Sequence, residues 1–114
     1  MEDTIFDKII RKEIPAKIVF EDDDFIVIND VNPQAPIHFL IIPKEQIPTL
    51  NDATEDHQSI LGKMLLLSSE LAKKYKIDEN GYRLVLNVNE DGGQTVFHIH
   101  LHLLGGREFG WPPG

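Results

Sequence analysis

Apolar and polar positions follow two rhythms along this chain, and each change of rhythm marks an element. Ile5, Phe6, Ile9 and Ile10 recur at helical spacing, and Thr4-Ile5-Phe6-Asp7 has capping-box form with Asp in the acidic position. A short helix over about residues 4–12 is predicted, ended before Pro15. Ile18 to Phe20 and Phe25 to Asn29 are β-branched and aromatic runs around the acidic turn Glu21 to Asp24, the pattern of a hairpin. Asn32 to Pro36 carries two prolines in five residues and reads as a loop; His38 to Ile42 reads as a strand closed by Pro43. One long helix is predicted from about Thr54 to Tyr75, with Glu55 and Asp56 in its first turn and Lys73, Lys74 and Lys76 at its end, all favourable to the helix dipole. Ile60, Met64, Leu67 and Leu71 form its buried stripe. Asn80-Gly81 turns into an alternating strand over 82–88, Asn89 to Gln94 is a polar loop, and Val96 to Leu104 is the last strand. Helix, strands, helix, strands, without repeated β-α-β units, predicts an antiparallel α+β domain.

Composition narrows the function. At 114 residues the chain fits a single domain, 1–114, and a domain this small gains from pairing with a second copy. No cysteine is present, which removes disulfide scaffolds, thiolate zinc fingers and cysteine nucleophiles. The formal charge of −8 argues against a long nucleic acid as partner, though a few local donors can hold one phosphate group. The acidic start lacks a signal-peptide pattern, and no apolar stretch nears the roughly 20 residues needed to span a bilayer. No membrane association and a cytoplasmic location are expected, with the nucleus left open.

The chemistry concentrates in Val96-Phe97-His98-Ile99-His100-Leu101-His102-Leu103-Leu104. On a strand, alternate residues share a face, so three histidines project one way, about 6.5–7 Å apart, and Ile99, Leu101 and Leu103 the other. Three of the chain's five histidines at period two do not read as an ordinary solvent-facing stripe, and His38, opening another strand, can lie beside them. Two functional readings compete. An imidazole metal site is one, but no carboxylate in the ladder completes it. The other is nucleophilic attack on phosphorus by one imidazole, with neighbours holding the anion. Gly92-Gly93-Gln94-Thr95 supports the second, since it offers backbone N–H groups, an amide and a hydroxyl to phosphate oxygens.

His-φ-His-φ-His-φ-φ, with φ apolar, resembles the motif of the histidine triad (HIT) family at every position from His98 to Leu104. Asp3 to Phe6, Ile9 to Lys17, Asn32 to Pro36, Asp91 to Gln94, Gly105 to Arg107 and Trp111 to Gly114 are similar to the Hint branch, the nucleotide-binding nucleoside phosphoramidases. The resemblance implies a five-stranded antiparallel sheet with one long and one short helix, continued across a homodimer. It also implies hydrolysis of the P–N bond in purine nucleoside 5′-phosphoramidates, with a purine nucleotide as ligand and no cofactor or metal. His100 would be the nucleophile, its second ring nitrogen held by a backbone carbonyl of the triad strand. His102 would contact the phosphate or leaving group, and His98 and His38 would support them. Asn87 and Thr95, assisted by the Gly93 backbone, would hold phosphate oxygens; the branch usually carries Ser where this chain has Thr95. Asp30 matches the carboxylate that accepts the ribose hydroxyls, although alone it reads as a strand-ending turn residue. Phe6, Ile9, Ile14, Ile28 and Val31 match the purine pocket, although most read alone as core. Dinucleoside polyphosphate hydrolysis, a non-catalytic nucleotide-binding scaffold and a histidine metal-binding protein are the rival functions.

Overall fold

The computed structural model describes residues 2–114. Thr4 opens α1 (Ile5–Ile10) as expected: the Asp7 backbone N–H bonds the Thr4 hydroxyl, and the Asp7 carboxylate receives the Thr4 backbone N–H, 2.8 Å away. The helix is shorter than predicted because Lys12 turns left-handed, at φ 64°, well before Pro15. The hairpin of β1 (Ile18–Glu21) and β2 (Phe25–Asn29) turns on Asp22, whose Oδ1 accepts the N–H groups of Asp24 and Phe25. β3 (Ile37–Pro43) follows the proline loop. Thr54 caps a single 3-10 turn, Glu55–His57, and α2 (Gln58–Lys74) continues from it. A second 3-10 turn, Leu50–Asp52, built on a Thr49/Asp52 capping box, was not anticipated. β4 (Tyr82–Val85) and β5 (Leu101–Gly105) complete an antiparallel sheet in the order β1-β2-β3-β5-β4.

The two late strands are shorter than their alternation suggests, for one reason. Ile41 pairs with Leu101, so a longer β5 would set Ile99 against Pro43, which has no N–H to give. Ile99 instead donates to the Ile47 carbonyl at 2.7 Å. The regular strand therefore starts at Leu101, and His98 and His100 precede it, a correction to a ladder of three histidines on one regular strand. β4 ends with its partner, at the Val85–His102 pair.

The sheet is apolar on both faces. Val27, Phe39, Ile41, Leu101 and Leu103 face one way and pack on Met64, Leu67, Leu71 and Ala72 of α2. Ile26, Ile28, Leu40 and Ile42 face the other way, under Phe6 and Ile9 of α1. α1 thus lids the face onto which the histidines project. Among the described residues, no helix is long and apolar enough to cross a membrane.

Candidate functional site

Backbone pairing sets His38 and His102 side by side. Leu40 lies opposite His102 and His38 opposite Leu104, so both imidazoles share the face beneath α1. Their rings touch: His38 Nε2 and His102 Nδ1 are 2.9 Å apart. His100 lies beside His102, with ring centroids 5.2 Å apart, and Phe6 packs edge-on against both His98 and His100. The four histidines singled out from sequence therefore form one continuous cluster.

Donor and acceptor chemistry fixes the tautomers. The Gln34 backbone N–H can only donate, and it points at His38 Nδ1 from 3.0 Å, so that nitrogen carries the lone pair. Nε2 of His38 then bears the proton and donates it to His102 Nδ1. His102 in turn keeps its own proton on Nε2. His100 Nδ1 lies 2.8 Å from the His98 carbonyl, which can only accept, so the proton is on Nδ1 and Nε2 is an open lone pair. This is the backbone carbonyl expected to hold the nucleophile's ring. One imidazole is thus arranged to attack and its neighbour to donate.

Burial keeps these rings neutral. It pushes His102 down from 6.5 to about 4, helped by the neighbouring His100 and His38. It also lowers His38, against the opposing pull of Asp30, and His100, against its bond to the His98 carbonyl and the smaller pull of Asp30. Asp30 sits just past β2, where its backbone N–H donates to the His38 carbonyl, and its Oδ2 is 3.4 Å from His38 Nε2. The fold thereby supplies the carboxylate that the ladder lacked, since Asp30, His38 and His102 offer ligand-type atoms within 4.8 Å of one another. Their hydrogen bonds do not suit a metal, however. A cation on His38 Nε2 would move that proton to Nδ1, directly against the Gln34 N–H.

The 89–94 loop is tightly made. Gln94 N–H bonds the Asn89 carbonyl, and the Gln94 side-chain oxygen accepts the Asn89 N–H. Gly92 runs so close to Val88 that a Cβ there would come 2.6 Å from the Val88 carbonyl oxygen. Two expectations are corrected. The Gln94 amide is buried and donates to the Pro48 and Val96 carbonyls, so it shapes the loop and has no N–H left for an anion. The Gly93 N–H is closed in a turn onto the Glu90 carbonyl, while φ of +84° explains the glycine. Among the described residues, neither the Thr95 hydroxyl nor the Asn87 amide is engaged in a hydrogen bond, so both remain open to a ligand. Asn87 stands two residues past Val85, the partner of His102. Thr95 borders a surface groove of about 440 Å³ shared with Thr4, Gln46, Pro48 and Phe97.

The expected base-pocket residues divide into two groups. Phe6, Ile9 and Ile28 are buried in the cluster under α1, with Ile14 packed at its margin. Val31 is fully exposed beyond Asp30, an apolar side chain with no protein cover. His57, given no role from sequence, caps Thr54 through Nδ1 and meets Glu45. The partners missed from sequence are two backbone groups, the Gln34 N–H and the Pro43 carbonyl. Asp7, read only as a cap, also faces His98.

Comparison with known proteins agrees with this geometry. A family model described as "HIT domain" matches residues 11–109. The chain is 52% identical over 109 residues to the purine nucleoside phosphoramidase of Escherichia coli, covering 96% of this chain and 92% of that protein. It is 56% identical over 113 residues to an uncharacterized HIT-like protein of Synechococcus elongatus, covering 99% and 98%. The crystal structure of a HIT family hydrolase from Legionella pneumophila superposes with a TM-score of 0.96 at 52% identity, covering 98% of this chain and all of that one.

Proposed function

The chain belongs to the HIT domain family, and from that premise we propose that it is a purine nucleoside phosphoramidase. It hydrolyses the P–N bond of purine nucleoside 5′-phosphoramidates such as adenosine 5′-monophosphoramidate. His100 Nε2 attacks the phosphorus and forms an N–P bond as the P–N bond to the amine breaks. The departing amine takes a proton from solvent as that bond breaks, while the His102 Nε2–H hydrogen-bonds to it and His102 stays neutral. Water then attacks the nucleotidyl-histidine, its proton passes to solvent, and the nucleoside monophosphate leaves with His100 restored. His38 holds His102 in the donating tautomer. Asn87 and Thr95 hold phosphate oxygens, Asp30 receives the ribose hydroxyls, and Phe6, Ile9, Ile14, Ile28 and Val31 meet the base. The route needs no metal.

The observation that carries this reading is the complementary protonation of His100 and His102, with a lone pair on one ring and a proton on the next. The E. coli relative's name supports the substrate class. The same reading includes a two-fold dimer that continues the sheet across the open edge of β4, with Leu65 and Leu66 standing exposed on α2. Sedimentation at micromolar concentration tests the dimer.

The deciding assay offers purified protein an adenosine phosphoramidate and a diadenosine polyphosphate, each with chelator present. AMP release chiefly from the first is expected. Faster cleavage of the second moves the substrate to dinucleoside polyphosphates. AMP binding without turnover of either makes the protein a nucleotide-binding scaffold, and activity lost to chelator sinks the metal-free route.

A further inference from the structure

The relay accounts for both nitrogens of His38 and His102 but leaves one on His98 unexplained. That ring is completely buried, and its Nε2 lies 2.6 Å from the Pro43 carbonyl. A carbonyl only accepts, so Nε2 bears a proton. Nδ1 is the one buried side-chain nitrogen or oxygen that lacks a hydrogen-bond partner among the described residues. Facing it, 3.6 Å away, is Oδ1 of Asp7. The other Asp7 oxygen is fully occupied, receiving the Thr4 backbone N–H at 2.8 Å and the Gln46 side-chain amide at 2.9 Å. Oδ1 is left for the ring.

Neither neutral form of His98 suits these surroundings. With the proton on Nε2 alone, the Nδ1 lone pair confronts a carboxylate in a dry interior. With the proton on Nδ1 alone, the Nε2 lone pair is pressed against the Pro43 carbonyl. With Asp7 ionised, only the doubly protonated ring turns both contacts into attractions. We infer that Asp7 is a positioning residue that holds His98 as an imidazolium between its carboxylate and the Pro43 carbonyl.

The consequence for catalysis rests on the proposed role of His100. His98 lends its carbonyl to the His100 Nδ1–H, so fixing the His98 ring also fixes the nucleophile's anchor. Besides burial, a positive His98 discourages protonation of His100, while the bond to the His98 carbonyl and Asp30 pull the other way. The groups packed on His98 are Asp7 and the Phe6 ring from α1, the Pro43 carbonyl from β3, and His100 on its own segment. His102 adjoins the far side of His100.

Nitrogen-15 NMR of histidine-labelled protein at pH 7 tests the inference. Both ring nitrogens of His98 are expected to carry protons in the wild type. Asp7→Asn keeps an acceptor for the Thr4 N–H but removes the charge, and should leave His98 protonated on Nε2 alone. The acid limb of kcat/KM should then move up by about half a unit to one unit, because the lost cation acts on His100 and the lost anion is not among the charges that do. Thr4→Ala breaks the same helix cap without touching the carboxylate–imidazole contact. It should lower thermal stability while leaving the His98 ring and the acid limb unchanged. A neutral His98 in the wild type overturns the inference, as do an imidazolium surviving Asp7→Asn and a loss of the imidazolium in Thr4→Ala. If the wild type turns over no phosphoramidate, the proposed function fails, and the NMR signature still decides the state of His98.

Discussion

His38→Phe removes one hydrogen from the relay and little else. The ring is 5% exposed, and the Nε2–H that it directs at His102 spans 2.9 Å to the acceptor. Phenylalanine fills a similar volume but leaves His102 Nδ1 with no donor in a place that water scarcely enters. An unsatisfied buried acceptor costs about 1–3 kcal/mol, and His102 escapes that cost by turning away or by moving its proton to Nδ1. Either response takes the Nε2–H away from the leaving amine. At about 1.4 kcal/mol per tenfold, the expected loss in kcat/KM is roughly 5- to 150-fold. Gln34 is exposed, so its freed N–H finds water and the fold should persist. His38→Gln puts an amide N–H near the original Nε2 and should recover part of the loss. The assay is steady-state AMP release at pH 7, with circular dichroism as the folding control. A His38→Phe variant within twofold of wild type would refute the relay, and so would a Gln variant no better than Phe.

Three further outcomes follow from the same geometry. Gly92→Ala places a Cβ 2.6 Å from the Val88 carbonyl oxygen and 2.8 Å from its nitrogen, so the loop carrying Thr95 must shift. Activity should drop on the order of 10- to 100-fold with the fold retained, and wild-type kcat/KM would show that the loop does not position substrate. Stability should fall as pH drops from about 6.5 towards 4. Over that window the unfolded chain protonates His38, His100 and His102 near 6.5, while the folded rings resist, His102 down to about 4; the histidine contribution is therefore complete above 6.5 and lost on acidification. Glu21, held below its ordinary 4.5 by Lys12 and Lys44, acts only at the acid end, so a Tm that stays flat between pH 6.5 and 5 would contradict the neutral cluster. Asp30→Ala should erase discrimination between ribose and 2′-deoxyribose substrates, worth roughly 10- to 150-fold if the carboxylate accepts the hydroxyls. A wild-type enzyme that treats both sugars alike would remove that role.

Much of the fold was legible because the alternation is clean and the punctuation strong. Thr4 and Asp7 announced the first cap, Asp22 to Asp24 the hairpin turn, and Met64, Leu67 and Leu71 the face of α2 that meets the sheet. The lengths of β4 and β5 were not legible, because period two persists in extended chain whether or not a partner strand pairs with it. What ended the pairing was Pro43, some 55 residues away in sequence from His98, and only the register reveals that opposition. The site divides along the same line. Side-chain identities and their shared face follow from spacing, so the four histidines were visible. The carbonyl behind His100 was expected from the family resemblance, but the Gln34 N–H and the Pro43 carbonyl are groups that every residue owns and that no motif distinguishes. Gln94 shows the opposite error. Its residue type suits phosphate binding, but both of its amide hydrogens are committed to carbonyls 46 and 2 residues away.

The central claim is that the His100 Nε2 lone pair forms a covalent bond to the substrate phosphorus. Rapid quenching during turnover of an adenosine phosphoramidate, followed by intact-protein and peptide mass spectrometry, tests it most directly. The predicted result is one adenylyl group per chain, mapped to His100 and absent from a His100→Ala protein that folds normally but releases no AMP. Continued AMP release by that variant, or turnover in which the nucleotide is never found on His100, would contradict it.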